Sequence, residues 1–349
     1  MPWMKTATKT FSVATDTKMM GSPLAMFALI CALFLNFATA EEPSLMYFPD
    51  ETGTAHLISL QDFELSEQDI EYLKANLSTI NFLLYTRYNP TEGYVLKLGD
   101  VDNLKKSKWN SANPTRIITH GWKSSGLSSS CVTLRNAYLT VGNFNVIVID
   151  WKEIAGNILY SQVTASIPSI AVFVSSFINY MQDFGGLNPR NTLMVGHSLG
   201  AHMISLAAHN AAGDIAEIVG LDPAGPGFSS DNPETRIDSS HGTYVQVIHT
   251  NAGKLGLSDN VGAADFHVNG GKKQPGCGAL DILGKCSHSR AYKYFAESIL
   301  HRLSFRTNPI NCTKTLSCPD IYMGGPTLDK SACGYYLIPT ASQSPFGLN

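Results

Sequence analysis

The sequence predicts an α/β domain with a mostly parallel central β-sheet flanked by helices. Three observations carry that expectation. Short apolar runs rich in β-branched residues recur along the chain, longer segments with helical spacing of apolar residues lie between some of them, and Gly, Pro, Asn and Ser gather between elements rather than inside them.

The first segment is of another kind. Residues 24–38 (LAMFALICALFLNFA) are uncharged and apolar, Lys5, Lys9 and Lys18 precede them, and Ala38-Thr39-Ala40 follows as a small-x-small cleavage pattern. This is the layout of a secretory signal over residues 1–40, because a membrane span needs about twenty apolar residues. The folded domain is expected over residues 41–349, with the protein secreted to the extracellular space. Removing residues 1–40 takes away three lysines and Asp16, so the formal charge of −3 becomes −3 − 2 = −5. That acidic balance, with no basic run, leaves no expectation of a nucleic-acid partner.

The strand-like runs are 80–88 (INFLLYTRY), 115–119 (TRIIT), 145–150 (NVIVID), 192–195 (TLMV), 217–221 (EIVGL) and 244–250 (YVQVIHT). Helices are expected over 167–184, 199–212 and 289–303, and long loops over 223–242 and 251–278. No repeat or linker divides the chain, so a single domain is expected. Beyond Cys31 in the signal, the cysteines are Cys131, Cys277, Cys286, Cys312, Cys318 and Cys333. In a secreted chain they suggest three disulfides, although six cysteines allow fifteen connectivities. Cys277–Cys286 and Cys312–Cys318 are the shortest closures, which leaves Cys131 with Cys333 by exclusion. Sequons at Asn76 and Asn311 offer sites for glycans.

Chemistry concentrates at Gly196-His197-Ser198-Leu199-Gly200, a G-x-S-x-G motif set between a strand-like run and a helical segment. Small glycines on either side let strand and helix approach, which forces the serine out at the apex of a sharp turn. A serine hydroxyl needs a histidine to take its proton and a carboxylate to fix that histidine's tautomer. In the α/β-hydrolase order the acid follows the serine at a strand's carboxyl end. Asp222 ends EIVGL and precedes a proline, whereas Asp150 also ends a strand but comes before the serine and reads as structural. Among ten histidines, His288 stands in Cys286-Ser287-His288-Ser289-Arg290, read as a loop just before a helix and beside an expected disulfide. For the oxyanion, the Leu199 N–H follows from elbow geometry, and the Trp122 N–H follows from His120-Gly121-Trp122 after TRIIT.

The motifs ITHGW, GHSLGAH, GLDPAGP and CSHSRA, in this order, resemble the pancreatic lipase family, and the likeness runs from about Asn81 to Gly347 through LYTRYNP, NVIVIDW, VIHTN, DFHVNGG, QPGC, YYLIPT and SPFG. The resemblance implies an α/β-hydrolase fold, with Ser198 as nucleophile, Asp222 and His288 completing the triad, and Trp122 with Leu199 as oxyanion donors. It is nearest the insect members, which include digestive lipase-like proteins, venom phospholipases A1 and yolk proteins that lack the serine. The chain ends without the C-terminal β-sandwich through which pancreatic lipase binds colipase, so no colipase is expected. Between Cys277 and Cys286 the lid holds only GALDILGK, a length like that of phospholipases A1 and galactolipases. Ala279, Leu280, Ile282, Leu283 and residues 255–257 either offer an apolar surface to a lipid interface or pack on the domain.

The resulting expectation is a carboxylic ester hydrolase of phospholipase A1 type, acting on lipid at a membrane, micelle or droplet surface. The alternatives are a triacylglycerol or galactolipid lipase, and a lipid-binding storage protein without turnover. No cofactor is expected, and no metal, because the scattered histidines lack ligand spacing.

Overall fold

The computed structural model describes residues 44–61, 63–229, 231–307 and 320–348. The signal, Cys312, Cys318 and Asn311 lie outside the described residues.

In chain order, β1 (Leu45–Pro49) and β2 (Ala55–Ser59) form an antiparallel hairpin, followed by α1 (Glu67–Asn76), β3 (Asn81–Tyr85), β4 (Tyr94–Leu96) and α2 (Val101–Lys106). Then come β5 (Thr115–Thr119), α3 (Ser129–Val141), β6 (Asn145–Asp150), α4 (Lys152–Ala155), α5 (Tyr160–Gly185), β7 (Thr192–His197) and α6 (Leu199–Asn210). The remainder is β8 (Glu217–Leu221), β9 (Val245–His249), β10 (Ala264–Val268), α7 (Lys285–Leu300), β11 (Arg306–Thr307), β12 (Ile321–Tyr322) and β13 (Gly334–Ile338).

Nine strands form one sheet in the order β13-β10-β9-β8-β7-β5-β6-β3-β4. From β13 to β6 every pairing is parallel, and β3 alone is reversed, pairing antiparallel with both β6 and β4. The sheet is therefore mostly parallel and covered by helices, which is the α/β-hydrolase fold. Every residue of β5, β6, β8 and β9 is buried, so their sequences read as continuous apolar runs instead of alternating ones. On one face Ile170, Val174 and Phe177 of α5 pack with Met203 and Ile204 of α6. On the other, Leu134 and Tyr138 of α3 pack with Phe295 and Ile299 of α7.

The structure departs from the sequence reading where burial overrides local signals. Helix α5 starts at Tyr160, not near 167, and runs through Pro168. Proline there removes a backbone donor, but Tyr160, Val163 and Ile167 are all buried, and their packing carries the helix across it. β10 lies inside the expected loop 251–278. Its sequence, ADFHV, hides a fully buried strand because Asp265 and His267 bond to His249 and Asn260 instead of water. Leu255 and Leu257 are buried and pack on the domain, whereas Leu280 is 91% and Ile282 71% exposed.

Cys277 and Cys286 are bonded, but Cys131 and Cys333 are not. The expected pairing by exclusion fails for a geometric reason. Cys131 is buried on α3, in the crossover from β5 to β6, while Cys333 is exposed before β13, the edge strand five places from β5, and a disulfide needs Cα atoms within about 7 Å. Burial pushes the Cys131 thiol up to about 12. Iodoacetamide is therefore expected to label Cys333 in the native protein and Cys131 only after unfolding, as read by peptide mass mapping; native labelling of Cys131 would contradict this burial.

Candidate active site

Ser198 joins β7 to α6 at φ 57° and ψ −126°, a backbone conformation that costs about 1–3 kcal/mol for a residue with a side chain. The flanking glycines permit it. A Cβ on Gly196 would come within 2.2 Å of the Gly200 carbonyl oxygen, and one on Gly200 within 2.4 Å of the His120 carbonyl oxygen, so neither position accepts a side chain. The Ser198 N–H donates to the Leu221 carbonyl at 3.1 Å, which ties the turn to the end of β8. Ser198 is 3% exposed, and its Oγ has no hydrogen-bond partner among the described residues.

Asp222 follows β8 directly and is fully buried. Its Oδ1 accepts the N–H groups of Thr250 (2.8 Å) and Asn251 (2.9 Å), and its Oδ2 accepts Nδ1–H of His288 at 2.6 Å. His288 is not in a loop before a helix: α7 begins at Lys285, so His288 sits in its first turn. That start is hidden in the sequence because Gly284 at the cap has no side chain to announce it, while Asp281 caps from outside by accepting the N–H groups of Cys286 and Ser287. Since Nδ1 donates to Asp222, Nε2 carries the lone pair, and it too is buried without a partner among the described residues. Ser198 and His288 line one cleft of about 380 Å³. The His197 ring packs against that of His288 at 4.4 Å. Burial, and then the neighbouring His288, hold His197 well below the ordinary histidine range. It stays neutral and donates Nε2–H to the His288 carbonyl at 3.2 Å.

The chain reverses direction across the sheet at β5, which has β6 on one side and β7 on the other, and open α/β sheets form their crevices at such switch points. There His120-Gly121-Trp122 leaves β5 beside Ser198. His120 accepts the Trp151 N–H at Nε2 and donates Nδ1–H to the Gly121 carbonyl, while Trp151 Nε1–H bonds the His120 carbonyl. The Trp122 indole N–H is held by the Asn157 carbonyl. Among the described residues the backbone N–H groups of Trp122 and Leu199 have no acceptor, and Leu199, as the first residue of α6, has none inside its helix. A buried serine hydroxyl, an imidazole lone pair, a carboxylate on the far ring nitrogen and two free N–H groups together suit acyl transfer through a covalent acyl-serine.

The β1–β2 hairpin went unread in the sequence, yet Phe48, Pro49, Asp50 and Glu51 wall the cleft. The Phe48 ring lies 5.2 Å from Tyr160, 5.6 Å from Trp122 and 6.2 Å from His288. In the sequence the hairpin's strands are LMYFP and AHLIS, two five-residue apolar runs without a clear polar alternation, too short to stand out. The grouping of Cys277, Asp281 and Cys286 is spent on a disulfide and a helix cap.

Three further histidines are buried elsewhere in the domain. Burial lowers His202 to about 3; it donates Nε2–H to the Ala224 carbonyl and accepts the Ile237 N–H at Nδ1, so protonation would break the second bond. Burial, then neighbouring histidines, lower His241 and His267 to about 4.

A model of the family described as Lipase matches residues 50–322. The chain is 34% identical over 262 residues to pancreatic triacylglycerol lipase of Myocastor coypus, covering 68% of this chain and 57% of that protein. It is 33% identical over 267 residues to pancreatic lipase-related protein 2 of Myocastor coypus, covering 70% and 56%. To phospholipase A1 of Vespa crabro it is 33% identical over 290 residues, covering 77% and 94%. The chain thus spans little more than half the length of these pancreatic relatives.

Two outcomes are expected. A fluorophosphonate should label the protein once, at Ser198 by peptide mapping, and Asp222→Asn should slow labelling by about 10⁴-fold by upsetting the histidine tautomer; labelling elsewhere, or at an unchanged rate, would contradict the geometry. The neutral buried histidines bind protons more readily when unfolded, so the stability they contribute is complete above the ordinary pKa of 6.5 and is lost as pH falls toward their folded values. Calorimetry should show Tm falling from about pH 7 to about pH 5, with proton uptake on unfolding.

Proposed function

The chain belongs to the lipase family, and we propose that it is a secreted serine hydrolase that cleaves carboxylic ester bonds of lipids, with phospholipase A1 activity. The observation that carries this reading is the pair of buried, unpartnered atoms, Ser198 Oγ and His288 Nε2, in one cleft with Asp222 on the far ring nitrogen. In this reaction Ser198 Oγ attacks the ester carbonyl carbon while His288 Nε2 takes its proton. The N–H groups of Trp122 and Leu199 stabilise the oxyanion. Collapse breaks the bond to the alcohol, which leaves with the proton from His288. Water then gives a proton to His288 and attacks the acyl-serine, releasing fatty acid and restoring the serine hydroxyl.

The phospholipase A1 reading draws on the short Cys277–Cys286 segment and on similarity spanning most of the Vespa crabro enzyme. The exposed Leu280 and Ile282 of that segment suit contact with a membrane, micelle or droplet surface. The signal-like residues 1–40 and the disulfide support secretion. The 34% identity to a pancreatic triacylglycerol lipase favours the second reading, a triacylglycerol lipase.

Fatty acid release from phosphatidylcholine and from triacylglycerol, measured side by side for wild type and Ser198→Ala, separates them. Fatty acid and 2-acyl lysophospholipid are expected from wild type, with a loss of about 10⁴-fold or more in kcat on removing the serine hydroxyl. Preference for triacylglycerol would install the second reading, and no cleavage of either lipid or of a soluble short-chain ester would overturn both.

A further inference from the structure

We infer that Lys285 and Lys293 form a phosphate-binding subsite in the cleft of Ser198, receiving the phosphodiester of a glycerophospholipid whose acyl ester reaches the serine. The inference rests on the phospholipid reading of this site and assigns residues to its head group.

One face of α7 floors the cleft. Lys285, Ser289, Tyr292 and Lys293 line it at spacings of four, seven and eight residues, which places them along a single helix stripe, the two lysines about 12 Å apart along the axis. Flexible four-carbon stems let both ammonium groups converge on an anion held between them. The opposite wall is the hairpin: the Lys285 ammonium lies against its turn, 3.2 Å from where a Cβ on Gly53 would be. Ser124, Ser129 and Ser130 add hydroxyls to the lining.

The same cleft holds two carboxylates, but their oxygens are already taken by the protein. Asp50 Oδ1 accepts the N–H groups of Thr52, Gly53 and Thr54, and its Oδ2 meets His56 at 2.9 Å. Glu51 accepts the Ser129 N–H at 2.7 Å and the Ser124 hydroxyl at 3.0 Å. Among the described residues neither Lys285 nor Lys293 has an ion-pair partner. Asp50 and Glu51 remain charged but are held by these donors, whereas the two lysines are cations of the lining with no ion-pair partner among the described residues.

Their position is unfavourable for folding alone. Lys285 opens a 16-residue helix, where the macrodipole opposes a cation and favours an anion. Burial, then Arg290 and Lys285, lower the pKa of Lys293, a strain that a bound anion relieves. In a glycerophospholipid the phosphate and the outer ester are joined by the glycerol backbone alone, so a cationic wall in the serine's own cleft suits both groups of one molecule.

The test uses dihexanoyl phosphatidylcholine below its micelle concentration and, separately, inorganic phosphate. Binding to the Ser198→Ala protein is measured by calorimetry, alone and with Lys285→Gln/Lys293→Gln or Lys285→Arg/Lys293→Arg added. Loss of the two charge-assisted contacts is expected to weaken phosphatidylcholine binding about tenfold or more, with recovery in the arginine variant. With Ser198 present, the ratio of kcat/KM for phosphatidylcholine to that for tributyrin should fall in the glutamine variant, through KM. Equal binding and an equal ratio in the glutamine variant, or no binding to the parent protein, overturns the subsite. A lysine-dependent affinity for inorganic phosphate as well would identify a site open to the free ion, and dependence for the lipid alone would restrict it to the head group. If the lysines govern binding but wild type leaves phosphatidylcholine intact, the hydrolase reading falls and the subsite stands.

Discussion

Asp222 carries a carboxylate with no exposure to solvent, and burying that group is costly unless its lone pairs are met by donors. Three donors from two distant segments meet them: the N–H groups of Thr250 and Asn251 after β9, and Nδ1–H of His288 in the first turn of α7. The end of β8, the loop beyond β9 and the start of α7 are therefore held about one side chain. The loop is fastened further by Leu257 N–H to the Pro223 carbonyl and Gly225 N–H to the Leu255 carbonyl. Gly256 lies so close that a Cβ would come within 2.6 Å of the Asp222 carboxylate. This caging leaves His288 one available nitrogen and aims it into the cleft.

The serine side of the site depends on a different constraint. Ser198 occupies a backbone conformation that is stable only because β7, β5 and α6 approach closely through Gly196 and Gly200. The strained turn exposes the first N–H groups of α6, and the neighbouring β5 loop adds the free N–H of Trp122. A site made in this way is arranged before any substrate arrives, which is the condition under which hydrogen-bond donors stabilise developing charge most strongly.

The cleft walls come from parts of the chain remote from both. The β1–β2 hairpin brings Phe48 against Trp122, Tyr160 and His288, and its Glu51 caps the N-terminus of α3. The short Cys277–Cys286 segment stands aside with Leu280 and Ile282 exposed. One element bounds the pocket, and the other presents apolar residues outward.

The sequence by itself determined the strands buried on both faces, because TRIIT, NVIVID and EIVGL have no polar alternation to accommodate water. It also placed Ser198 between strand and helix and Asp222 at a strand end, since both positions follow from local glycine and proline chemistry. Tertiary structure alone decided the rest. Whether Cys131 meets Cys333 depends on how many strands stand between them, whether 255–257 faces solvent depends on the loop that Asp222 gathers, and the helical start beneath His288 depends on an aspartate capping from outside. The hairpin over the cleft is the clearest case. Local periodicity reports which face of a segment is buried, but not against what, and the distance between Phe48 and His288 is set by where a hairpin outside the central sheet docks against the first turn of α7.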